Sequence, residues 1–285
     1  GGFNTTNYSI TYASGTLTVA ALPVTITGAA VYSGSTSFNT ATSGSSLSVT
    51  NAVNGDTVTV SGTGTLSSAS AGSRSLNSLS GLTLSSSNYT LTGATSAITV
   101  SQAPLGVVLA ATYSGTTTVT PTSFTLTGLV NSETVTSLSS AVLSSANVSG
   151  NGSNYVVSIT KGAGTATLSN YSITAAYNAT TGITTTNTAT LNTKAITIAA
   201  SNQSTTYGTA LALGSSSYSL TSGSLGTGDA ITGVTLTQGG NTTVPATQSA
   251  ATYSGGTNGI LVSAATGTGG FNTTNYSITY ASGTL

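Results

Sequence analysis

Three carboxylates are the side chains of this chain best suited to acid–base chemistry. Asp56, Glu133 and Asp229 each lie in a turn-like stretch with Asn or Gly, and 77 and 96 residues separate them. A two-carboxylate catalytic site would therefore need distant segments to fold together. His and Cys are absent, so the usual general base and thiolate nucleophile are missing as well. We interpret the acids as polar caps of turns and predict that the chain is not an enzyme.

An intramolecular Lys–Asn isopeptide bond is the most specific chemistry that these residue types allow. Such a bond needs a Lys on one strand, an Asn across from it and a buried protonated acid. One predicted domain contains all three residue types. Lys194 lies on its first strand, Asp229 between the first and last strands, and Asn275 on its last strand. The domain before it holds Lys161 and Glu133. The simpler interpretation places Lys194 at a domain boundary and Lys161 in a turn.

Metal and glycan sites follow from the same inventory. Zinc prefers His or Cys and calcium prefers several carboxylates, so we predict no metal ion and no cofactor. Eleven Asn-Xaa-Ser/Thr triplets are potential N-glycosylation acceptors. Asn151 and Asn178 lie in turn-like stretches and are the candidates. Asn88, Asn170 and Asn275 each precede a Tyr in a predicted strand, and we expect them to be structural.

The low charge of the chain excludes several classes of partner. Six formal charges in 285 residues make 2% charged residues, against about 25% in ordinary domains. Binding to nucleic acid needs clusters of Lys and Arg, which are missing. No stretch approaches the ~18 apolar residues of a membrane-spanning helix, so no span is predicted. Without Cys there is no disulfide framework.

The elements that must position these side chains are predicted to be strands. Tyr8, Ile10 and Tyr12 alternate with polar residues, as do Ile196 and Ile198, and Gly, Asn and Ser punctuate the runs. Alternation of β-branched and aromatic residues is typical of half-buried strands. A disordered, mucin-like stalk would share the composition but not this order. The sequence therefore predicts an all-β protein.

One stretch of sequence occurs twice. Residues 1–17 return letter for letter as residues 269–285, an offset of 268 residues. This identity predicts one period of a longer tandem array, with a short overlap. Residues 1–20 are then the closing strands of the preceding period's last domain. We expect them to be unpaired in isolation, or to insert as a donor strand into a neighbouring chain.

A finer repeat predicts three domains within the period, at residues 21–102, 103–192 and 193–285. Each has an early Tyr, a lone acid 20 to 24 residues later, and an Asn-Tyr closing strand. Each is long enough for an antiparallel Ig-like β-sandwich. Because the linkers have almost no length, we expect a stiff rod of about 100 Å per period. Rings at the recurrent positions are expected in the core, with hydroxyls bonded to backbone: Tyr32, Tyr113 and Tyr207, and Tyr89, Tyr171 and Tyr276.

The order of these motifs resembles the YDG repeat of large bacterial surface proteins. The residues that carry the resemblance are 32–35, 53–58 and 81–91. The third domain, with Tyr207-Gly208 and the closing residues 275–278, is more similar to the related MBG repeat. The resemblance implies Ig-like sandwiches along giant, secreted, adhesin-like proteins of the filamentous-haemagglutinin type. The family's Asp after the early Tyr is replaced by Ser33 and Ser114.

Two functions are compatible with these observations. The leading hypothesis is a structural shaft of a secreted bacterial adhesin or extracellular filament, located at the cell surface and contacting copies of itself. The alternative is a repeated module that binds polysaccharide, with surface glycans as partners. The chain has dropped the charges that normally prevent edge-to-edge association, which favours the first. Buried Tyr rings would favour the shaft, and exposed aromatic rows would favour the glycan module.

Overall fold

A computed structural model describes residues 1–173, 177–178, 182–183 and 186–285 and shows an all-β protein. The strands alternate as the sequence predicts: Val24 and Ile26 are buried, and Thr25 between them is exposed. Two compact units result, Gly1–Gln102 and Ala103–Leu285. Among the described residues, no helix has the length and apolar character needed to cross a bilayer.

The first unit contains one sandwich of two sheets. Its strands are β1 Leu22–Val31, β2 Ser37–Asn39, β3 Ser46–Val49, β4 Val60–Leu66, β5 Gly72–Arg74, β6 Leu76–Leu84 and β7 Tyr89–Ser101. One sheet has the order β3-β1-β7-β5 and the other β2-β4-β6. Ile26 and Ile98 of the first sheet and Phe38 of the second are fully buried, so the core lies between the sheets.

The second unit contains two sets of sheets. The second sandwich is built from β8 Ala103–Thr112, β9 Thr118–Val119, β10 Pro121–Thr127, β11 Ser137–Leu143, β12 Val156–Ala163, β13 Tyr171–Ile173, β14 Tyr177–Asn178, β15 Gly182–Ile183 and β16 Asn187–Asn192. Strand β8 pairs with β10, β13 and β16, and the facing sheet is β12-β11-β9. Strands β14 and β15 pair with each other in antiparallel register.

A single residue separates β16 from the first strand of the third sandwich. Its strands are β17 Lys194–Ala200, β18 Leu211–Ala212, β19 Tyr218–Ser222, β20 Ala230–Thr237, β21 Thr243–Val244, β22 Leu261–Thr268 and β23 Tyr276–Ala281. The sheets are β19-β17-β23, β20-β22 and β18-β21. Ile198, Leu236 and Ile260 are fully buried in its core.

Short 3-10 turns occupy Thr5–Asn7, Val148–Gly150, Leu168–Asn170, Gly256–Asn258 and Thr273–Asn275.

One sheet of each sandwich is mixed and the others are antiparallel, whereas the sequence analysis predicts antiparallel sheets throughout. In each sandwich the first strand runs parallel to the last: β1 to β7, β8 to β13 and β16, and β17 to β23. The other strand pairs are antiparallel, for example β1 with β3. Alternation along a strand reports which face is buried and carries no information on the direction of a partner, so the sequence cannot reveal this pairing.

Residues 1–20 form no strand. Their one regular element is the 3-10 turn Thr5–Asn7, and every residue in the segment is exposed. The same sequence at residues 269–285 contributes β23 to the third sandwich. Strand formation here therefore depends on a neighbouring strand, because an extended segment makes its hydrogen bonds with other parts of the chain.

Candidate functional site

Each sandwich places the hydroxyl of its closing-strand Tyr against its lone carboxylate. The Tyr hydroxyl donates to a carboxylate oxygen in all three cases, and we call this arrangement the tyrosine–carboxylate corner. The pairs are Tyr89 to Asp56 at 2.8 Å, Tyr171 to Glu133 at 2.6 Å and Tyr276 to Asp229 at 2.5 Å. A hydrogen bond to an ionised acceptor is stronger than one between neutral groups.

The same hydroxyl also accepts a backbone N–H from the turn that carries the acid. The donors are Val53 at 3.0 Å, Val130 at 3.1 Å and Gly226 at 2.7 Å, in each case three residues before the acid. The carbonyl of that donor residue accepts the N–H of the acid at 3.0 Å in all three turns. Each Tyr hydroxyl thus fixes a turn twice, once as a hydrogen-bond donor and once as an acceptor. The acids are turn residues, as the sequence analysis interprets them.

Local sequence explains why the turns form at these positions. Asn54 and Gly55 have φ values of 56° and 77°, and Asn131 and Ser132 have 52° and 57°. Two successive residues of positive φ give a tight turn that Asn and Gly favour. In the third sandwich Gly228 alone supplies the positive φ, at 85°. The turn chemistry therefore sets the position of each carboxylate locally, whereas its Tyr comes from a distant strand.

Strand register then brings the Tyr to the turn. The closing Tyr faces the first residue of the first strand in every sandwich: Leu22 with Tyr89, Ala103 with Tyr171, and Lys194 with Tyr276. The corner consequently lies at the end of the sandwich where the chain enters. This position makes the corner available to whatever precedes the sandwich along the chain.

Within the second unit, the second sandwich binds to the corner of the third. Tyr113, directly after β8, donates its hydroxyl to Asp229 Oδ2 at 2.8 Å, so this carboxylate binds two phenols. The rings of Tyr113 and Tyr276 meet edge to face with centroids 5.3 Å apart. The Thr227 N–H donates to the Ser114 carbonyl at 2.8 Å beside them. Tyr113 is 3% exposed and belongs to the core cluster of the third sandwich.

Asn275 completes this contact from the other side. Its side chain is fully buried, and its Oδ1 accepts the Val148 N–H at 2.9 Å. Its Nδ2 donates to Asn147 Oδ1 at 3.0 Å. Tyr113, Asn147 and Val148 thus meet the corner of the third sandwich at what we call the corner junction. The junction joins two sandwiches through hydrogen bonds that are partly buried.

The electrostatics of the junction keep both phenols protonated. Burial, with the hydrogen bond to Asp229 and its charge in support, raises the pKa of Tyr113 to about 12. Burial likewise raises the pKa of Tyr276, and the bond to Asp229 adds to the effect. A phenol with so high a pKa is a hydrogen-bond donor at neutral pH and a poor proton shuttle. The arrangement is suited to holding two surfaces together.

The isopeptide candidates lie near one another but have other hydrogen-bond partners. Lys194 faces Tyr276 in the strand register, next to Asn275, and its Nζ donates to the Leu225 carbonyl at 3.3 Å. Asp229 accepts the two phenols, and the Asn275 amide binds Asn147 and Val148. The covalent bond stays a prediction, which an intact mass lower by one ammonia would reveal.

The glycosylation candidates divide in the same way. The Asn151 amide binds the backbone of Leu191 on both sides, donating to its carbonyl at 2.7 Å and accepting its N–H at 2.8 Å. The side chain of Asn178 lies outside the described residues. Glycan attachment at either position stays a prediction.

Other Asn side chains also bond to backbone N–H and C=O groups in place of a neighbouring strand, and sequence reasoning missed them. The buried Asn187 accepts the Val156 N–H at 2.9 Å and donates to the Val156 carbonyl at 3.0 Å. Asn51 accepts from Thr25 and donates to the Pro23 carbonyl. These amides act as a one-residue extension of a sheet. A polar residue at the end of an alternating run was the available signal.

The prediction for the recurrent Tyr rings is confirmed at five positions and wrong at one. Tyr32, Tyr89, Tyr113, Tyr171 and Tyr276 are 3 to 5% exposed. Tyr207 is 68% exposed. The early Tyr follows the first strand directly in the first two sandwiches, whereas in the third Ser201 holds that position and Tyr207 lies further along the connection.

Tyr207 instead lines a surface pocket of about 310 Å³. Thr205, Gln248 and Tyr253 share this pocket, all within the third sandwich. Its polar groups are hydroxyls and one amide, and it carries no charged side chain.

Comparison with known proteins gives one family match. Residues 16–97 match the model of the YDG domain family, a stretch that includes Asp56 and Tyr89 of the first corner. The comparisons with curated proteins and with solved structures found no match.

Proposed function

We propose that this chain is a non-enzymatic structural repeat, the shaft of a secreted bacterial adhesin or extracellular filament. The observation that carries the proposal is the corner junction, in which Tyr113 of one sandwich binds Asp229 and Tyr276 of the next. A module whose entry end is built to receive its predecessor suits an array. The resemblance of the motif order supports the same class, and the YDG match of residues 16–97 agrees with a β-rich repeat in the first unit.

The use of the few reactive side chains supports a structural role. The carboxylates Asp56, Glu133 and Asp229 each hold a Tyr hydroxyl in a corner. The chemistry that these groups perform is hydrogen bonding between distant segments of one fold.

Low charge supports association of shafts at a cell surface. With 2% charged residues, the chain has almost no electrostatic repulsion between copies. Edge strands of ordinary proteins carry Lys or Pro to prevent pairing with other chains. Lateral contact between copies, or a coat of glycans, would then determine whether filaments bundle into a biofilm or sheath.

Electron microscopy of the native material tests this proposal directly. We expect fibres with an axial repeat near 100 Å or a simple fraction of it, the length of three sandwiches of ~10-residue strands. Intact mass on the same sample would reveal glycans as excess mass. Single particles without a repeat, retained on a polysaccharide column, would contradict the shaft and favour a binding module.

One feature favours polysaccharide binding as a second candidate. Tyr207 is exposed beside Tyr253 in the pocket of the third sandwich, and an aromatic face next to hydroxyl and amide groups suits a sugar ring. Replacing Tyr207 by Ala should abolish retention on such a column. Tyr218→Phe, which removes a hydroxyl bonded to the Ile231 carbonyl elsewhere in the same sandwich, is the matched control.

A further inference from the structure

Residues 1–17 and 269–285 place one sequence in two environments. In the trailing copy, residues 269–285, Tyr276 and Asn275 are buried and β23 pairs with β17. In the leading copy, residues 1–17, Phe3 is 73% exposed and Tyr12 86%. Tyr8 of the leading copy is 60% exposed, whereas its counterpart Tyr276 is 5% exposed, so the leading copy presents to solvent a ring that the trailing copy buries in a sandwich.

The leading copy already has part of the docked conformation. Asn4 Oδ1 accepts the Thr6 N–H at 3.0 Å, as Asn272 Oδ1 accepts that of Thr274 at 3.0 Å. The following 3-10 turn is the same in both copies. The rings of the Phe–Tyr pair also stack alike, with centroids 5.1 Å apart in Phe3–Tyr8 and in Phe271–Tyr276. A segment that is partly ordered before it binds loses less conformational entropy on binding.

The site of the trailing copy is complete and sequence-specific. Six successive residues pair with β17 in parallel register, and the Tyr276 hydroxyl meets Asp229 and Gly226. After β23, Gly283 exchanges two backbone hydrogen bonds with Ile260 at 2.8 and 2.9 Å. The leading copy has the same side chains at every corresponding position. This site can therefore accept the leading copy in one defined register.

We propose that the leading copy of one molecule can replace the trailing copy in this site of a second molecule of the same chain, which joins the two molecules end to end. The mode is addition of a strand to a sheet, with backbone bonds for affinity and the Tyr–carboxylate corner for register. The tethered trailing copy competes at an effective concentration in the millimolar range. Exchange should therefore be minor at micromolar protein and become visible when the trailing copy is weakened. This proposal rests on the identity of the two copies and on the contacts of the trailing copy, and not on the proposed shaft.

Paired substitutions separate the two copies experimentally. Tyr276→Ala with Ile278→Pro weakens the trailing copy, and Tyr8→Ala with Ile10→Pro makes the same changes in the leading copy. Sedimentation velocity at up to about 100 µM, well below the effective concentration of a tethered segment, gives the assembly state. Hydrogen exchange of β17 and of residues 226–229 reports whether the site is filled.

The expected result is specific to one of the pairs. Wild type and the leading-copy variant should be monomers with a protected site. The trailing-copy variant should form concentration-dependent oligomers, with at least a doubling of the average mass and with protection restored. The variant with all four changes should be a monomer with an unprotected site.

Three results would overturn the proposal. The first is a trailing-copy variant that stays monomeric with an unprotected site at every concentration. The second is a monomer with restored protection, which would mean that the leading copy folds back on its own chain. The third is oligomers that persist when all four changes are present.

A peptide provides a measurement that does not depend on oligomers. A labelled peptide of residues 1–17 should bind the variant with all four changes and restore protection of β17. The same peptide carrying Tyr8→Ala should bind at least about 100-fold more weakly, because it loses the buried ring and its hydroxyl bonds. Equal binding of the two peptides, or no binding of either, would contradict the assigned site.

Discussion

Replacing Tyr276 by Phe should destabilise the third sandwich substantially more than the matching change destabilises the first. The substitution keeps the ring and removes a hydroxyl that donates to Asp229 at 2.5 Å and accepts the Gly226 N–H at 2.7 Å. A bond to a charged acceptor contributes about 1.5–3 kcal/mol, and a buried donor left without a partner costs about 1–3 kcal/mol. Asp229 keeps the Tyr113 hydroxyl, so we expect the lower part of this range, about 3 kcal/mol in total.

Tyr89→Phe is the matched control for that prediction. Its hydroxyl makes the same two bonds, to Asp56 and Val53, but Asp56 is exposed and water can replace the lost donor. We therefore expect a clearly smaller loss of stability than for Tyr276→Phe. Urea unfolding followed by hydrogen exchange, read on peptides from each sandwich, measures both free energies. Equal losses in the two variants, or a loss below about 0.5 kcal/mol for Tyr276→Phe, would refute the role assigned to the junction.

Three further predictions use the same measurements. The contribution of Tyr113 to stability should be fully present below pH 10 and be lost as pH rises through about 12, because its folded-state pKa is raised to about 12 from about 10, and Tyr113→Phe should reduce this loss. Gly269→Ala should cost at least about 2 kcal/mol, since Gly269 has φ 78° and its new Cβ would strike the Gly228 carbonyl, whereas Gly1→Ala, with open space around it, should be silent. Asn187→Ala should cost about 2–4 kcal/mol by leaving both backbone groups of Val156 without their buried partner, and an unchanged midpoint in urea would contradict this.

Local pattern predicted the strands and turns of this fold well. Alternation at Ile196 and Ile198 places both in the core, and Asn54-Gly55 forms the turn that such a pair favours. The same alternation at Tyr8, Ile10 and Tyr12 predicts a strand that the structure does not form there. Its identical copy becomes β23 because β17 is its neighbour. Pattern thus gives the capacity to be a strand, and a distant partner decides whether it forms.

The corner was beyond the reach of sequence reasoning for a related reason. The acid and the closing Tyr are separated by 33, 38 and 47 residues, so only the register of the last strand brings them together. Their constant order in three domains was a usable signal, but it did not say that they touch. Tyr207 shows the opposite error. Its motif is similar to that of the early Tyr in the other two sandwiches and predicts the same buried environment, but in the structure Tyr207 lies further along the loop and is exposed.

The parallel pairing of first and last strands has a mechanical consequence. Tension applied to the two ends of a sandwich would slide these strands past each other, so that their hydrogen bonds share the load and must break together. An antiparallel pair pulled from adjacent ends would instead open one bond at a time. Nine residue pairs link β1 to β7 and six link β17 to β23. Under increasing force, the third sandwich, with the shorter ladder, should unfold before the first. Its unfolded chain would then supply the extra length of the molecule under tension.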